Sequence, residues 1–219
     1  MTNAPTIRIR YARPDDASFL AKAAIIAGRA HVRKGIWEVI LGETEEYSLD
    51  FLEHVSVTTI PHLFHYSCYF VAEHTDAGPV GSLGGYDPKQ LGYQALQRAI
   101  PEVIAKLNLP PHAFQGAEER SSKILVCLPE EIEGAWVIDS VATLPQYRKR
   151  GIAETLLEHV LHEGKERGYH IAQINMYIGN EPALSLYKKM GFDVIEEKRE
   201  DYFERTIGSP GMVSLARPI

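Results

Sequence analysis

The chain has 219 residues, of which 45% are hydrophobic, 9% aromatic and 24% charged. This composition is typical of a soluble globular protein and excludes a chain that is disordered throughout. With 23 Lys and Arg against 29 Asp and Glu, the net charge is -6. An acidic chain gives no electrostatic basis for a nucleic-acid partner, and it weakly favours a cationic or amine partner.

Cysteine content and hydropathy indicate the compartment. Cys68 and Cys127 are the only cysteines, too few for a disulfide framework, so two buried thiols in a reducing cytosol are expected. No apolar run approaches the ~20 residues that span a bilayer, and residues 1–10 lack the apolar run of a secretory signal. The sequence therefore predicts a cytoplasmic protein without a membrane partner.

The first half of the chain predicts a strand, three helices and a hairpin. Residues 6–28 alternate in polarity and then take helical spacing, which predicts a strand followed by a helix. Residues 36–60 predict two helices that break near Gly42 and form a flap. Two short apolar runs, residues 68–73 and 80–86, flank a turn-forming segment and predict a β-hairpin.

Residues 87–133 differ in composition from their surroundings. Apolar residues up to Leu107 have helical spacing, and Pro110-Pro111 and a polar stretch follow. We interpret this segment as a helical insertion in a single domain that spans residues 1–219.

The second half predicts a βαβ unit. Residues 135–143 are strand-like, residues 151–166 have the spacing of an amphipathic helix, and residues 170–177 are strand-like again. This order predicts two parallel strands joined by a crossover helix. The remaining predicted elements are a helix over residues 180–190, ended by Gly191, and strands over residues 192–195 and 212–215.

The junction between the first of these strands and its helix has the form of an anion site. Helix N-termini carry unpaired N–H groups and a positive partial charge, and Gly151 and Ala153 leave that end unobstructed. Arg148, Lys149 and Arg150 add three cations. The alternative is a solvated basic turn. The spacing is neither that of a P-loop nor that of a dinucleotide fingerprint, so another anion is expected.

Two motifs of the chain resemble the GNAT superfamily of acyl-CoA-dependent N-acyltransferases. Arg148, Gly151 and Ala153 match its R/Q-x-x-G-x-G/A signature, and residues 180–192 match N-x-x-A-x-x-L-Y-x-x-x-G-F. The resemblance covers residues 135–196 well. It implies an α/β (α+β) fold with a mixed, mostly antiparallel sheet flanked by helices, in which the two parallel strands splay apart to admit acetyl-CoA.

The resemblance also implies which residues contact the cofactor. The backbone of the strand end would pair with the pantetheine arm, an N–H near Val141 or Ala142 would stabilise the oxyanion, and the helix N-terminus would cradle the pyrophosphate. Asn180 would contact the arm. The expected cofactor-binding residues are Val141, Ala142, Thr143, Arg148, Lys149, Arg150, Gly151, Ile152, Ala153, Glu154, Asn180 and Tyr187.

Tyr187 matches the position of the family's usual general acid. An ordinary tyrosine has a pKa near ~10 and a thiol one near ~8.5, so Tyr187 would be protonated at neutral pH and able to protonate the departing thiolate. The alternative is a core aromatic residue whose hydroxyl has a structural partner.

The general base is less well marked in the sequence. Val137 stands where many family members have a glutamate. Asp139 lies two residues further, on the same face of the strand, and is the leading candidate. A carboxylate with a purely structural partner is the alternative for Asp139. Glu131, Glu133 and deprotonation through ordered water remain open.

Several other signals are weaker. His62 with His65 and His159 with His162 lack a third ligand, so no metal is expected, and we interpret them as surface or interface groups. Cys127 is predicted to be a core residue, and Ser82 and Ser140 lack a nucleophile elbow. Arg29, His31, Arg33, Trp37 and Glu38 form either part of the substrate site or a charged helix face that exposes one tryptophan.

The sequence favours an enzyme that transfers an acetyl group from acetyl-CoA directly to a primary amine. A small-molecule acceptor is preferred over a protein lysine or N-terminus, because the insertion over residues 87–133 is expected to narrow the acceptor cleft. The alternatives are an acyl-CoA-binding sensor without turnover and an interaction module. The sequence does not fix the oligomeric state, and a homodimer is one of the states considered.

Overall fold

The computed structural model describes residues 6–42, 44–109 and 111–219, and over these residues the chain forms seven strands and nine helices. The strands are β1 (Ile7–Tyr11), β2 (Tyr69–His74), β3 (Gly78–Tyr86), β4 (Trp136–Thr143), β5 (Ile171–Tyr177), β6 (Asp193–Arg199) and β7 (Gly211–Pro218). The helices are α1 (Ala17–Arg29), α2 (Ile36–Leu41), α3 (Glu45–Val55), α4 (Pro88–Leu91), α5 (Tyr93–Lys106), α6 (Pro111–Leu125), α7 (Ile152–Glu166), α8 (Glu181–Lys189) and α9 (Asp201–Ile207).

The strands form a single sheet in the order β1-β2-β3-β4-β5-β7-β6. Every neighbouring pair is antiparallel except β4 and β5, which are parallel. Parallel neighbours need a long crossover connection, and α7 supplies it. The mixed, mostly antiparallel sheet flanked by helices and the βαβ unit are therefore confirmed.

The two faces of the sheet carry different helices because side chains alternate along each strand. Trp136 and Ile138 of β4 belong to the core on the α7 face, together with Leu156 and Val160. Val137 belongs to a second core on the opposite face, which contains residues of α1, α3 and α5. The helical layer of the first half of the chain thus covers the face opposite to α7.

Two helices were not predicted. Helix α6 occupies the polar stretch after Leu107, and its Arg120 donates to the backbone oxygens of Ile40 and Leu41 at the end of α2. These bonds dock α6 against α2, and tertiary packing of this kind supplies most of the stability of a helix in a protein. Helix α9 has seven residues, too few for a clear periodic signal, and its Phe203 is fully buried. Strands β6 and β7 are longer than predicted.

Parts of three predictions fall outside the described residues: residues 1–5 of the segment without a secretory signal, the start of the proposed single domain, and Pro110 of the predicted break. Where the chain is described, no helix has the length and apolarity that a bilayer span requires.

Candidate active site

A cavity of about 1810 Å³ lies beside the C-terminal half of β4. It exists because β4 and β5 pair only from Trp136 to Ile138 and then diverge. The backbone of residues 139–143 therefore has a free edge toward β5, while its other edge pairs with β3. The volume exceeds the ~300–1,000 Å³ of an ordinary small-molecule site, so it has room for two ligands.

A β-bulge in β4 separates the two strands. Gly84 of β3 pairs with Asp139 and Ser82 pairs with Ala142, so β4 has one residue more than its partner here. Ser140 has a φ of 52°, in the left-handed region. A bulge bends its strand and ends regular pairing. Both the N–H and the hydroxyl of Ser140 donate to Oδ1 of Asp139.

The N-terminus of α7 presents a row of free backbone donors to the cavity. Within the described part of the chain, the N–H groups of residues 149–154 have no protein acceptor, whereas Thr155 N–H donates to the Gly151 oxygen. Gly151 has a φ of 78°, and a Cβ there would meet no other atom within 4 Å. The residue is therefore required for its left-handed backbone, and the space before the amides is open.

The basic side chains of this loop are exposed but do not act alike. Arg148 Nε donates to the Thr143 oxygen at 3.2 Å and lines the cavity, as Lys149 does. Arg150 instead lies over the Tyr147 ring, 5.1 Å from its centroid. Arg150 is absent from the cavity lining. All other expected cofactor-binding residues line the cavity: Val141, Ala142, Thr143, Arg148, Lys149, Gly151, Ile152, Ala153, Glu154, Asn180 and Tyr187.

Helix α8 brings Asn180 and Tyr187 to the same cavity. The Asn180 side chain caps the helix by accepting the Ala183 N–H at 3.4 Å. Tyr187 is only 5% exposed, and its hydroxyl has no hydrogen-bond partner among the described residues. Burial, and secondarily Asp139, raise the pKa of Tyr187. The hydroxyl is thus protonated, unpaired and next to the cavity.

Asp139 lines the cavity and also has a local partner in Ser140. Burial raises its pKa, against the opposing effect of the Ser140 hydrogen bonds. Val137 lines the same cavity and is 4% exposed, and the sharing of one face by Val137 and Asp139 stays a prediction. Asp139 thus has a structural partner in Ser140 and also borders the cavity.

Of the other candidate carboxylates, Glu131 lines the cavity and Glu133 does not. Burial, and secondarily Asp139, raise the pKa of Glu131. Glu131 comes directly before β4, in the segment that follows α6. Glu131 and Asp139 thus interact electrostatically, and Glu118, Glu130 and Glu154 also line the cavity.

Residues of α4–α6 line a further part of the cavity. Tyr93, Leu96 and Ala117 are among the lining residues of this segment, and Tyr86 at the end of β3 continues the wall. Burial raises the pKa of Tyr93. The expected position of residues 87–133 beside the cleft agrees with the structure.

The cluster near the end of α1 divides into two parts. Arg29 binds both carboxylate oxygens of Glu38, at 2.9 and 2.7 Å, and Glu38 is only 4% exposed. His31 and Trp37 line the cavity, whereas Arg33 is exposed outside it. The expected charged helix face is therefore wrong for Glu38, because a buried carboxylate needs its cation partner.

The expectation of surface histidines is wrong for His62 and His65, which are 0% and 6% exposed. His62 Nδ1 accepts the Phe64 N–H, and His62 Nε2 lies 3.0 Å from the Thr58 hydroxyl. Burial lowers the pKa of His62 to about 4. No group of three or more metal-ligating side chains converges among the described residues.

Comparison with known proteins identifies the family. Residues 37–192 match the acetyltransferase (GNAT) family, which is most of the chain. The chain belongs to this GNAT family. Its fold resembles that of a solved acetyltransferase, with a TM-score of 0.68 at 20% identity over 97% of this chain and 99% of the other. The fold also resembles that of an N-acetyltransferase from Staphylococcus aureus Mu50, with a TM-score of 0.67 at 23% identity over 96% of this chain and 100% of the other.

Curated relatives of this GNAT chain match over a shorter region. A ribosomal protein bS18-alanine N-acetyltransferase of Escherichia coli strain K12 is 30% identical over 80 residues, 36% of this chain and 53% of that protein. N-alpha-acetyltransferase 50 of Danio rerio is 35% identical over 69 residues, 31% of this chain and 40% of that protein. The chain thus spans about half the length, or less, of the curated relatives it matches.

Sequence reasoning missed several cavity side chains of this GNAT protein. Tyr86, Tyr93 and Asn175 line the cavity, and Gln173 supports the segment around Glu131. Gln173 and Asn175 alternate with apolar residues along β5, which was a usable signal for polar groups on one face. Tyr93 carried no signal, because its position depends on how α5 packs.

Proposed function

We propose that the protein is an acetyl-CoA-dependent N-acetyltransferase that acts on a primary amine. The observation that carries this proposal is the open row of N–H groups at residues 149–154, which continues the free edge of β4. One surface thus offers donors for a pyrophosphate and a strand edge for an amide-containing arm. A row of phosphate-binding N–H groups next to a free strand edge fits CoA better than it fits a free phosphate.

The cofactor would be held mainly by the backbone. The free edge at Val141, Ala142 and Thr143 would pair with the arm, and the N–H groups at the start of α7 would bind the pyrophosphate, with Arg148 and Lys149 beside it. Bound acetyl-CoA supplies an acetyl group activated as a thioester. Nothing in this proposal needs a metal.

Two side chains of the cavity hold and move protons in this proposal. The raised pKa of Tyr187 keeps its hydroxyl protonated at neutral pH, and Tyr187 gives this proton to the departing thiolate. Asp139 accepts a proton from the acceptor ammonium, and its raised pKa makes it a stronger base than an exposed aspartate. The acceptor must be deprotonated before its nitrogen can attack.

For the acceptor we propose a small-molecule amine. Helices α4–α6 wall the cavity and favour a compact ligand over an extended chain. A protein acceptor is the second candidate, because the names of the curated relatives specify a ribosomal protein alanine and an N-alpha position. Cys68 and Cys127 are free and buried, which fits the expected cytoplasmic location.

Isothermal calorimetry with acetyl-CoA and with CoA tests the cofactor. Saturable binding is expected for both. Thiol release with a panel of primary amines and alanine-initiated peptides then separates the acceptor classes. Binding without turnover on any acceptor would favour the sensor alternative. No binding of either cofactor would contradict the proposal and favour an interaction module.

A further inference from the structure

The side-chain amide of Gln173 holds the segment that carries Glu131. Its Oε1 accepts the Ile132 N–H at 2.8 Å, and its Nε2 donates to the Glu130 oxygen at 2.8 Å and to the Ser214 hydroxyl at 2.9 Å. Gln173 is 0% exposed. The two backbone bonds lie on either side of Glu131, so they fix the direction of that residue relative to β5.

Glu131 itself faces the cavity without a cation. Among the described residues, no Lys or Arg forms an ion pair with Glu131 or with Asp139. Glu131 is exposed, whereas Asp139 is half-buried, and a half-buried carboxylate is ordinarily paired because an isolated charge in protein surroundings costs solvation energy. The unpaired Asp139, close enough to Glu131 to raise the pKa of that residue, therefore indicates a cationic ligand.

A third oxygen points to the same ligand chemistry. Asn175 lies two residues after Gln173 on the same face of β5 and lines the cavity. Its Oδ1 is buried and has no hydrogen-bond partner in the described structure. Leaving a buried acceptor unpaired costs about 1–3 kcal/mol. Oxygens of Glu131, Asp139 and Asn175 together suit a group with several N–H donors, as a primary ammonium has.

We propose that the Glu131 carboxylate binds the ammonium group of the acceptor and that Gln173 is the positioning residue that holds Glu131 in place. The inference rests on the proposed acetyltransferase function. It assigns Glu131 to recognition and leaves proton acceptance to Asp139. Gln173 acts only through the backbone on both sides of Glu131.

The test measures binding rather than turnover. Calorimetry on the protein saturated with CoA uses 2-phenylethylamine and putrescine as probes, and a parallel titration measures CoA affinity alone. Glu131→Gln is expected to weaken amine binding at least tenfold and to change CoA affinity less than twofold. Glu133→Gln removes a carboxylate that is outside the cavity lining, and it should leave both affinities within twofold of the wild type.

A double-mutant cycle separates positioning from a general packing role of Gln173. Gln173→Leu keeps the buried volume and should weaken amine binding about fivefold, but it should have no further effect in the Glu131→Gln background. Ser214→Ala removes the third partner of Gln173 and keeps both backbone bonds, so amine binding should not change. Thermal unfolding of each variant verifies folding, and Gln173→Met replaces the leucine variant if that protein does not fold.

The outcomes distinguish the two proposals. If the wild-type protein does not bind CoA, the proposed function itself is contradicted. CoA binding with no binding of either amine, or with unchanged amine affinity in Glu131→Gln, would overturn the role of Glu131. Additive effects of Gln173→Leu and Glu131→Gln would overturn the positioning role of Gln173.

Discussion

The two ends of the cavity are built in different ways. The end at the α7 N-terminus comes from the contiguous residues 141–154 and offers mainly backbone N–H groups and a strand edge. The opposite end is assembled from side chains of α1, α2, α5, β5 and the segment before β4. A backbone site depends on a short local conformation, whereas a side-chain site depends on how distant segments pack.

The electrostatic character of the two ends also differs. Arg148 and Lys149 are exposed at the α7 end, where salt and water screen them. Asp139 of β4 and Glu131 of the segment before β4 are acidic lining residues, and desolvation raises the pKa of both. The proposed anionic cofactor and the proposed cationic acceptor thus meet side chains of opposite charge in one cavity. Variants at each end should therefore affect one ligand and spare the other.

Removal of the Tyr187 hydroxyl should have the largest effect on rate. Tyr187→Phe keeps the buried ring but deletes the proton donor, so kcat should fall about 1,000-fold, within the range of general acid catalysis. Acetyl-CoA affinity should stay within threefold, because the hydroxyl has no structural partner to lose. A discontinuous assay of thiol release measures kcat, and calorimetry measures the affinity for acetyl-CoA. Tyr202→Phe, away from the cavity, is the control, and an unchanged kcat in Tyr187→Phe would remove Tyr187 from the mechanism.

Acid should weaken the helical layer on the acceptor side. Burial lowers the pKa of His62 from 6.5 to about 4, so the unfolded chain binds a proton at intermediate pH that the folded chain does not. The folded protein therefore keeps its full stability above pH 6.5. As pH falls from 6.5 toward 4, protonation of His62 in the unfolded chain lowers the free energy of unfolding by about 3 kcal/mol. Urea unfolding at several pH values should show that acid lowers the free energy of unfolding less in His62→Gln than in the wild type. His170→Gln, at an exposed histidine, should behave as the wild type, and an equal loss in His62→Gln would contradict this assignment.

Asp139→Asn tests the proton acceptor at the carboxylate end. The amide can still accept the Ser140 hydrogen bonds through its oxygen but cannot take a proton, so kcat should fall about 100-fold. The wild-type rate should decline as acid protonates Asp139, and the variant should lack that decline. Steady-state rates across pH provide the measurement. Asp193→Asn at the exposed start of β6 is the matched control, and wild-type rates in Asp139→Asn would favour deprotonation through water.

Gly151→Val tests the backbone end and should have the smallest effect of the four. A β-branched residue disfavours a φ of 78°, and its side chain would enter the open space before the amides. CoA affinity should fall about 30-fold, measured by calorimetry. Gly168→Val is matched, since Gly168 has a φ of 87° and equally open surroundings at the other end of α7. Equal CoA affinities in the two variants would show that backbone strain alone explains any loss.

Sequence patterns predicted elements best where the local signal was strong. The βαβ unit and the α7 junction followed from alternation, helical spacing and the Gly151 position, and the structure confirms their arrangement. Helix α6 was not predicted, and the bonds from its Arg120 to the end of α2 join segments about 80 residues apart, which a local pattern does not show. Arg150 shared the basic pattern of Arg148 yet stacks on Tyr147, a choice that charge alone does not encode.

The sequence by itself determined the family and the sheet type and predicted an anion site at the start of α7, because each depends on short contiguous patterns. Only the tertiary structure decided which polar groups are unpaired, which histidines are buried and which carboxylates share the cavity. These properties depend on contacts between segments far apart in the chain, such as Gln173 with the backbone around Glu131. The residues that form the acceptor end of the cavity can therefore be identified only from the packed structure.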